Sequence, residues 1–123
     1  MAKTTQKHFE TFKAECEKWV ERYGLKDWRI HYFHKEALDG CMASYSAKIL
    51  DRVASMFLNP DWKKTTITDY DLKQSAFHEV SHLFFSRIWM LAMDRFACER
   101  DIDEEIHVFI RTLENVLWHE NKS

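Results

Sequence analysis

The spacing of apolar residues changes along the chain, and each spacing predicts a different element. In residues 5–23 they recur every three or four positions, which places them on one face of an amphipathic helix. Thr4 or Thr5 can serve as its N-cap, and Gly24 can end it because glycine readily adopts the left-handed conformation. The apolar face, which we expect to pack against the core, comprises Phe9, Phe12, Cys16, Trp19, Val20 and Tyr23.

Further along, apolar and polar residues alternate, which is the period of a half-buried strand. One strand begins at Trp28, a second is expected within residues 41–49, and a third covers Val53–Leu58. Asp51 and Arg52 form a tight connection between the last two strands. The pattern predicts a small antiparallel meander of three strands.

Two helices are predicted after the strands. Residues 72–93 contain no glycine or proline, and apolar side chains surround most of the helix circumference, which is typical of a central, buried helix. Thr68 is its expected N-cap, with Asp71 as an acidic capping partner. A last helix over residues 102–118 carries one apolar face: Ile102, Ile106, Phe109, Ile110, Leu113, Val116 and Leu117. The predicted class is therefore α+β, with an N-terminal helix, a small three-stranded, mainly antiparallel sheet and two further helices.

Length, charge and hydropathy limit the classes of function that the chain can have. A length of 123 residues fits a single domain, 1–123. The net charge of −2 and the scattered lysines and arginines argue against nucleic-acid binding. The longest apolar run, residues 83–93, is far shorter than the roughly 20 residues of a membrane span. We therefore expect neither nucleic acid nor membrane as a partner.

The N-terminal residues and the cysteines indicate the cellular compartment. Residues 1–13 are polar and charged, without the apolar region of a secretion signal, which favours the cytoplasm. Cys16, Cys41 and Cys98 are odd in number and show no CxxC spacing. We expect reduced thiols, mostly buried.

One motif indicates chemistry. His78-Glu79-Val80-Ser81-His82 has the HExxH pattern, in which two histidines four residues apart lie on one face of a helix and can reach one metal ion. Zinc suits this pair, because neutral imidazole nitrogens bind it at about 2.0–2.1 Å and a catalytic site needs three protein ligands. The sequence therefore predicts one zinc ion per chain and requires a third ligand.

The last helix offers three carboxylates for that position. Glu105 borders its apolar face and is the favoured candidate. Glu104 points away from that face, and the spacing of Asp101 and Glu104 fits a capping box. Asp103 borders the other edge of the face but has a shorter reach. Glu104 and Asp103 stay open as alternatives to Glu105.

HEVSH on a buried helix, followed after 22 residues by a glutamate in a second helix, resembles the gluzincin class of zinc metallopeptidases. The order of elements is similar to the minimal metallopeptidases of bacteria and bacteriophages, and related in plan to SprT-like domains. The resemblance covers about residues 19–117. It implies a minimal zincin-like fold, His78, His82 and Glu105 as zinc ligands, and Glu79 as catalytic base.

The resemblance also implies a substrate-aligning strand beside the cleft. That strand is expected to be the edge strand formed by Val53, Ala54, Ser55, Met56, Phe57 and Leu58. The implied activity is cleavage of a peptide or protein by a zinc-bound water that Glu79 activates. The alternatives are a zinc-stabilised module that binds a protein partner without catalysis, and hydrolysis of a non-peptide amide.

Overall fold

The computed structural model describes residues 2–37, 40–63 and 66–118. The fold is α+β, as the sequence predicts. The helices are α1 (Gln6–Arg22), α2 (Asp69–Phe84), α3 (Ser86–Met93) and α4 (Glu99–Leu113), and a π-helical turn, Glu114–Trp118, follows α4. The strands are β1 (Ala2–Lys3), β2 (Arg29–Phe33), β3 (Ala43–Lys48), β4 (Val53–Leu58) and β5 (Asp61–Trp62). The short strands β1 and β5 pair with each other.

Helix α1 begins and ends close to the predicted residues. Thr5 is its N-cap: the Thr5 hydroxyl accepts from the backbone N–H of His8, and the His8 ring accepts from the backbone N–H of Thr5. The helix ends at Arg22, and Gly24 follows with a φ of +70°. Phe12 and Cys16 are its fully buried residues, so the predicted apolar face does point into the core.

The three-stranded sheet has the order β2-β4-β3, with β4 in the centre. β4 runs antiparallel to β3 and parallel to β2. The tight connection at Asp51 and Arg52 forms, with Arg52 at a φ of +55°, but the predicted meander order is wrong. The β3–β4 hairpin is determined by turn residues that are neighbours in the sequence. The strand that pairs with β2 is instead determined by which strand lies deepest in the core.

β4 is the interior strand of the sheet. Ala54, Met56 and Leu58 point to one face and are almost completely buried. They join a core formed with α1 and α2, which pack against each other. Because β4 has a strand on each side, it has no free edge, and the prediction that Val53–Leu58 is an edge strand is wrong. The edge strand next to α2 is β3.

The helix predicted over residues 72–93 is interrupted at Phe85, which separates α2 from α3. The buried Ser86 hydroxyl donates to the carbonyl of Leu83, and such a bond competes with the helical backbone pattern. The N-cap at Thr68 forms as predicted, since its hydroxyl accepts from the N–H of Asp71. α2 is not apolar all round, because His78 and His82 lie on an exposed side of it.

Helix α4 begins at Glu99, three residues earlier than predicted. The N-terminus of α4 is capped by Asp101, whose carboxylate accepts a hydrogen bond from the backbone N–H of Cys98 at 3.2 Å. The predicted capping box between Asp101 and Glu104 therefore does not form, and Glu104 instead contacts Arg100 on the surface. No described helix is long and apolar enough to cross a membrane. Of the three free thiols, Cys16 is buried and Cys41 and Cys98 are exposed, so the expectation of mostly buried cysteines is wrong.

Met56→Ala should lower the free energy of unfolding by about 2–5 kcal/mol, because it leaves a cavity at the fully buried centre of β4. Leu50→Ala is the matched control. Leu50 is 88% exposed in the β3–β4 turn, so its loss should change stability by about 0.5 kcal/mol or less. Urea unfolding measures both variants. Equal effects would contradict the interior position of β4.

Candidate metal centre

Helix α2 positions the HExxH residues. Its regular geometry between Thr68 and Phe85 places His78 one turn before His82. The two Nε2 atoms lie 3.2 Å apart, and the rings meet edge to face with centroids 4.8 Å apart. The predicted convergence of the two imidazoles is therefore present in the fold.

This separation fits two ligands of a single zinc ion. Two nitrogens bound at 2.0–2.1 Å with a tetrahedral angle lie about 3.3–3.4 Å apart. Tyr45 stacks on His82, with centroids 5.2 Å apart and planes 11° from parallel, which holds that ring in place. Burial, and secondarily the charge of His78, lowers the pKa of His82. The neutral imidazole, which is the metal-binding form, is thus favoured.

Glu79 is the unusual group of the site. Its side chain lies between the exposed histidines and the core, and the residue is only 7% exposed. Within the described residues, no donor side chain or N–H forms a hydrogen bond with its carboxylate. Burial raises the pKa of Glu79 to about 7. The carboxyl group lines an open cleft, and a partly buried carboxyl group with a raised pKa is typical of functional sites.

The histidines and Glu79 line a cleft of about 420 Å³. One wall is α2, which also contributes Gln74 and Ser75. The other wall is the start of β3 and the residues just before it: Cys41, Met42, Ala43, Ser44 and Tyr45. The cleft therefore runs between the HExxH face of α2 and the edge strand of the sheet.

Tyr45 contributes a phenol to this cleft. Burial, followed by the nearby charge of Glu79, raises the pKa of Tyr45. The hydroxyl therefore stays protonated and can donate a hydrogen bond. Sequence reasoning missed Tyr45, although it alternates with Ala43 and Ala47 and so shares their face of β3.

The structure does not bring Glu105 to the histidines. Glu105 is buried, as its place at the apolar seam predicts, but the seam lies against α3, where the Arg87 guanidinium pairs with its carboxylate. Both residues line a second cleft of about 430 Å³, bounded by Trp28, Leu83, Phe84 and Phe109 among others. The interruption at Phe85 accounts for the difference, because it gives α4 a separate helix to pack on.

The two alternative carboxylates also lie elsewhere. Glu104 is exposed and pairs with Arg100, and Asp103 pairs with His107 at 3.6 Å. Across residues 2–37, 40–63 and 66–118, no three histidine, cysteine, aspartate or glutamate side chains are grouped closely enough to hold a metal. The histidine pair thus fits zinc, while the three carboxylates considered for the third position do not.

The cleft wall carries one further side chain of a metal-binding type. Cys41 lines the same cleft as His78 and His82, and its thiol is exposed and free. The Cys41 carbonyl accepts from the Asn59 side-chain amide at 3.0 Å, which holds this part of the backbone at the rim. Spacing in the sequence gave no indication of Cys41, because it lies 37 residues before His78.

No protein-family model, curated protein or solved structure matches this chain.

Glu79→Gln should stabilise the metal-free protein more at about pH 8 than at about pH 5. The carboxyl has an ordinary pKa of 4.5 and a folded-state pKa of about 7. The folded state therefore holds its proton at pH values where the unfolded state has lost it, and stability falls as the pH rises through this window. The gain at about pH 8 should be at most about 3 kcal/mol, given about 1.4 kcal/mol per pKa unit.

Thermal or urea unfolding in a chelating buffer measures this difference. Glu104→Gln is the control, because that carboxylate is exposed and paired with Arg100. A pH-independent difference between wild type and Glu79→Gln would contradict the burial of an ionisable group.

Proposed function

We propose that this chain is a zinc-dependent hydrolase, most simply a metallopeptidase similar to the gluzincins. The observation that carries the proposal is the pair of Nε2 atoms of His78 and His82, 3.2 Å apart, beside the buried Glu79. Two converging imidazoles stand next to a carboxyl group with a raised pKa in one open cleft. A metal ion and a reaction explain both features.

When bound, zinc supplies a Lewis acid that polarises a carbonyl group and acidifies water. Glu79 is the general base in this proposal: it takes a proton from the attacking water and transfers it to the leaving amine. A pKa near 7 lets one carboxyl group act first as a base and then as an acid. The Tyr45 hydroxyl, in the opposite wall, is available to donate a hydrogen bond to a substrate oxygen.

The edge strand β3 is the proposed support for an extended peptide. It pairs with β4 on one side only and forms the cleft wall across from α2. Main-chain hydrogen bonds to such an edge would hold a peptide straight across the histidines. In this proposal β3 has the substrate-aligning role that was expected of Val53–Leu58 from the sequence. A peptide or protein substrate suits this geometry better than a small non-peptide amide, which would not use the edge.

Zinc content and turnover test the proposal. His82→Ala should weaken zinc binding beyond the 10–100-fold loss typical of outer-shell partners, because it removes a direct ligand. Glu79→Gln should retain zinc and lower peptide hydrolysis by about 10²–10⁴-fold or more. Chelator competition measures affinity, and cleavage of a mixed peptide library measures turnover.

His31→Ala is the control, since His31 is an exposed histidine on β2 and is not part of the cleft lining. It should change neither zinc affinity nor hydrolysis. A wild-type protein that binds no zinc, or equal hydrolysis by wild type and Glu79→Gln, would contradict the proposal.

The third zinc ligand is a separate question. The resemblance to gluzincins favours Glu105, but the ion pair with Arg87 gives this carboxylate a structural role in the second cleft. Within the wall of the histidine cleft, the thiol of Cys41 has the matching chemistry, because zinc binds thiolates as readily as imidazoles. Its exposed side chain can reorient toward the histidines.

Cobalt substitution distinguishes these ligands, because a thiolate bound to Co²⁺ gives a near-ultraviolet charge-transfer band and a carboxylate does not. On the geometry of the cleft, we expect Cys41→Ser to remove this band and weaken zinc binding, with Cys98→Ser, the other exposed thiol, as control. Glu105→Ala should retain metal and lower stability by about 1–3 kcal/mol through loss of the Arg87 pair. Loss of zinc in Glu105→Ala would instead mean that α4 moves to the histidines when metal binds.

A non-catalytic module that binds a protein partner is the second candidate. The observation in its favour is that, among the described residues, no group of three histidine, cysteine, aspartate or glutamate side chains could hold a metal ion. In that case, zinc would hold the cleft in shape, and the edge of β3 would bind a partner strand. Normal zinc content without hydrolysis, in a protein that still captures extended peptides, would identify this function. For either function we expect the reducing cytoplasm, which agrees with three free thiols.

A further inference from the structure

Exposed apolar side chains are concentrated in one part of the fold. Fifteen large apolar residues are exposed in the described chain, and eleven of them lie between Phe85 and Trp118. This segment is the α3–α4 hairpin with its π-helical turn. It lies outside the histidine cleft, since none of its residues lines that cleft.

Four exposed apolar residues of α4 and one of the π-helical turn form a stripe, whereas the exposed Val108 lies on another side of α4, in the lining of the second cleft. Successive members are three or four positions apart, so they lie within one quarter of the helix circumference. We call this the α4 stripe; it consists of Ile102, Ile106, Ile110, Leu113 and Leu117, which are 37–59% exposed. The stripe is distinct from the packed side of α4, which buries Glu105, Phe109 and Val116.

A second stripe lies on the neighbouring helix. Phe85, Trp89 and Met93 are four positions apart along α3 and are all exposed, and Phe96 follows at the connection to α4. α3 packs directly against α4, and the rings of Phe85 and Phe109 meet edge to face with centroids 5.1 Å apart. The two stripes therefore belong to one helical hairpin with apolar surface on both helices.

The amount of this surface is that of a protein interface. An aromatic side chain buries roughly 200 Å² on average and an aliphatic one about half as much, so the nine residues of the two stripes leave roughly 700 Å² of apolar surface in water. The largest apolar patch of a typical monomer is about 300–600 Å². A standard interface buries about 800 Å² on each partner, of which somewhat over half is apolar.

We propose that two copies of this chain associate through the α4 stripe and the adjoining surface of α3. Ile106, Ile110, Leu113 and Leu117 have the four-three-four spacing with which one helix packs against another of the same repeat. In a twofold pair, the same surface serves both copies, and such dimers are the commonest oligomers. In such a pair, the apolar middle of the surface on one copy covers the same apolar middle on the other.

Charge selects the orientation and disfavours a membrane. The exposed charged residues in the first half of α4 are the acidic Glu99, Asp101, Asp103 and Glu104 and the basic Arg100. Antiparallel pairing separates these acidic ends in the dimer, whereas parallel pairing would place them side by side. The same acidic border is the reverse of the basic polar face with which amphipathic helices bind anionic lipid.

The test is the mass of the purified chain in solution, measured by light scattering and sedimentation over a wide range of concentration. A chelator is present in one series, so that the result is independent of metal binding. Wild type should have twice the 14.9 kDa mass of one chain. Ile110→Asp places a charge in the middle of the α4 stripe and should give monomers at concentrations where wild type is dimeric.

Leu50→Asp is the matched control, because Leu50 is exposed on the β3–β4 turn, away from the hairpin, and should stay dimeric. Circular dichroism verifies folding, and Ile106→Asp repeats the test one turn earlier if Ile110→Asp unfolds. A wild-type monomer at all concentrations would overturn the proposal, as would a folded Ile110→Asp dimer. Flotation of a monomeric wild type with phosphatidylserine vesicles would assign the surface to lipid instead.

Discussion

The packing of α2 against α1 and the inner face of the sheet is the constraint on which the candidate site depends. Leu72, Ala76, Val80 and Leu83 are fully buried on one side of α2, and this fixes the rotation of the helix about its axis. Once that side is fixed, helical geometry directs the side chains of His78 and His82 into the cleft. β3 then completes the cleft because β4 occupies the centre of the sheet.

The position of Glu79 follows from the same packing. It lies one residue, or about 100°, round the helix from His78, which carries its carboxylate from the exposed side toward the core. The residue is consequently the one ionisable member of the motif that is nearly fully buried. The fold holds a partly desolvated carboxyl group, with a raised pKa, at the place where a base would be useful. A side chain chosen for packing at this position would be apolar.

The two parts of the chain differ in how completely they are packed. Up to Phe84, the helices and strands share a single core that contains Phe12, Met56 and Trp62 at zero exposure. Beyond Phe85, α3 contacts this core through Ile88, and α4 and the π-helical turn contact it through Phe109 and Val116, but this segment leaves much of its apolar surface in water. Glu105 belongs to this second part, which explains why it meets Arg87 of α3 and not the histidines of α2.

The sequence by itself determined the elements that rest on local rules. Helix α1 with its Thr5 cap, the β3–β4 turn at Arg52, the N-cap at Thr68 and the convergence of His78 with His82 depend on neighbours within a few residues. Long-range packing places β4 between β2 and β3, Tyr45 against His82, Cys41 in the wall of the histidine cleft, and Glu105 beside Arg87. These contacts join residues far apart in the chain, and a hydrophobic period specifies which face of an element is buried but not which partner covers it.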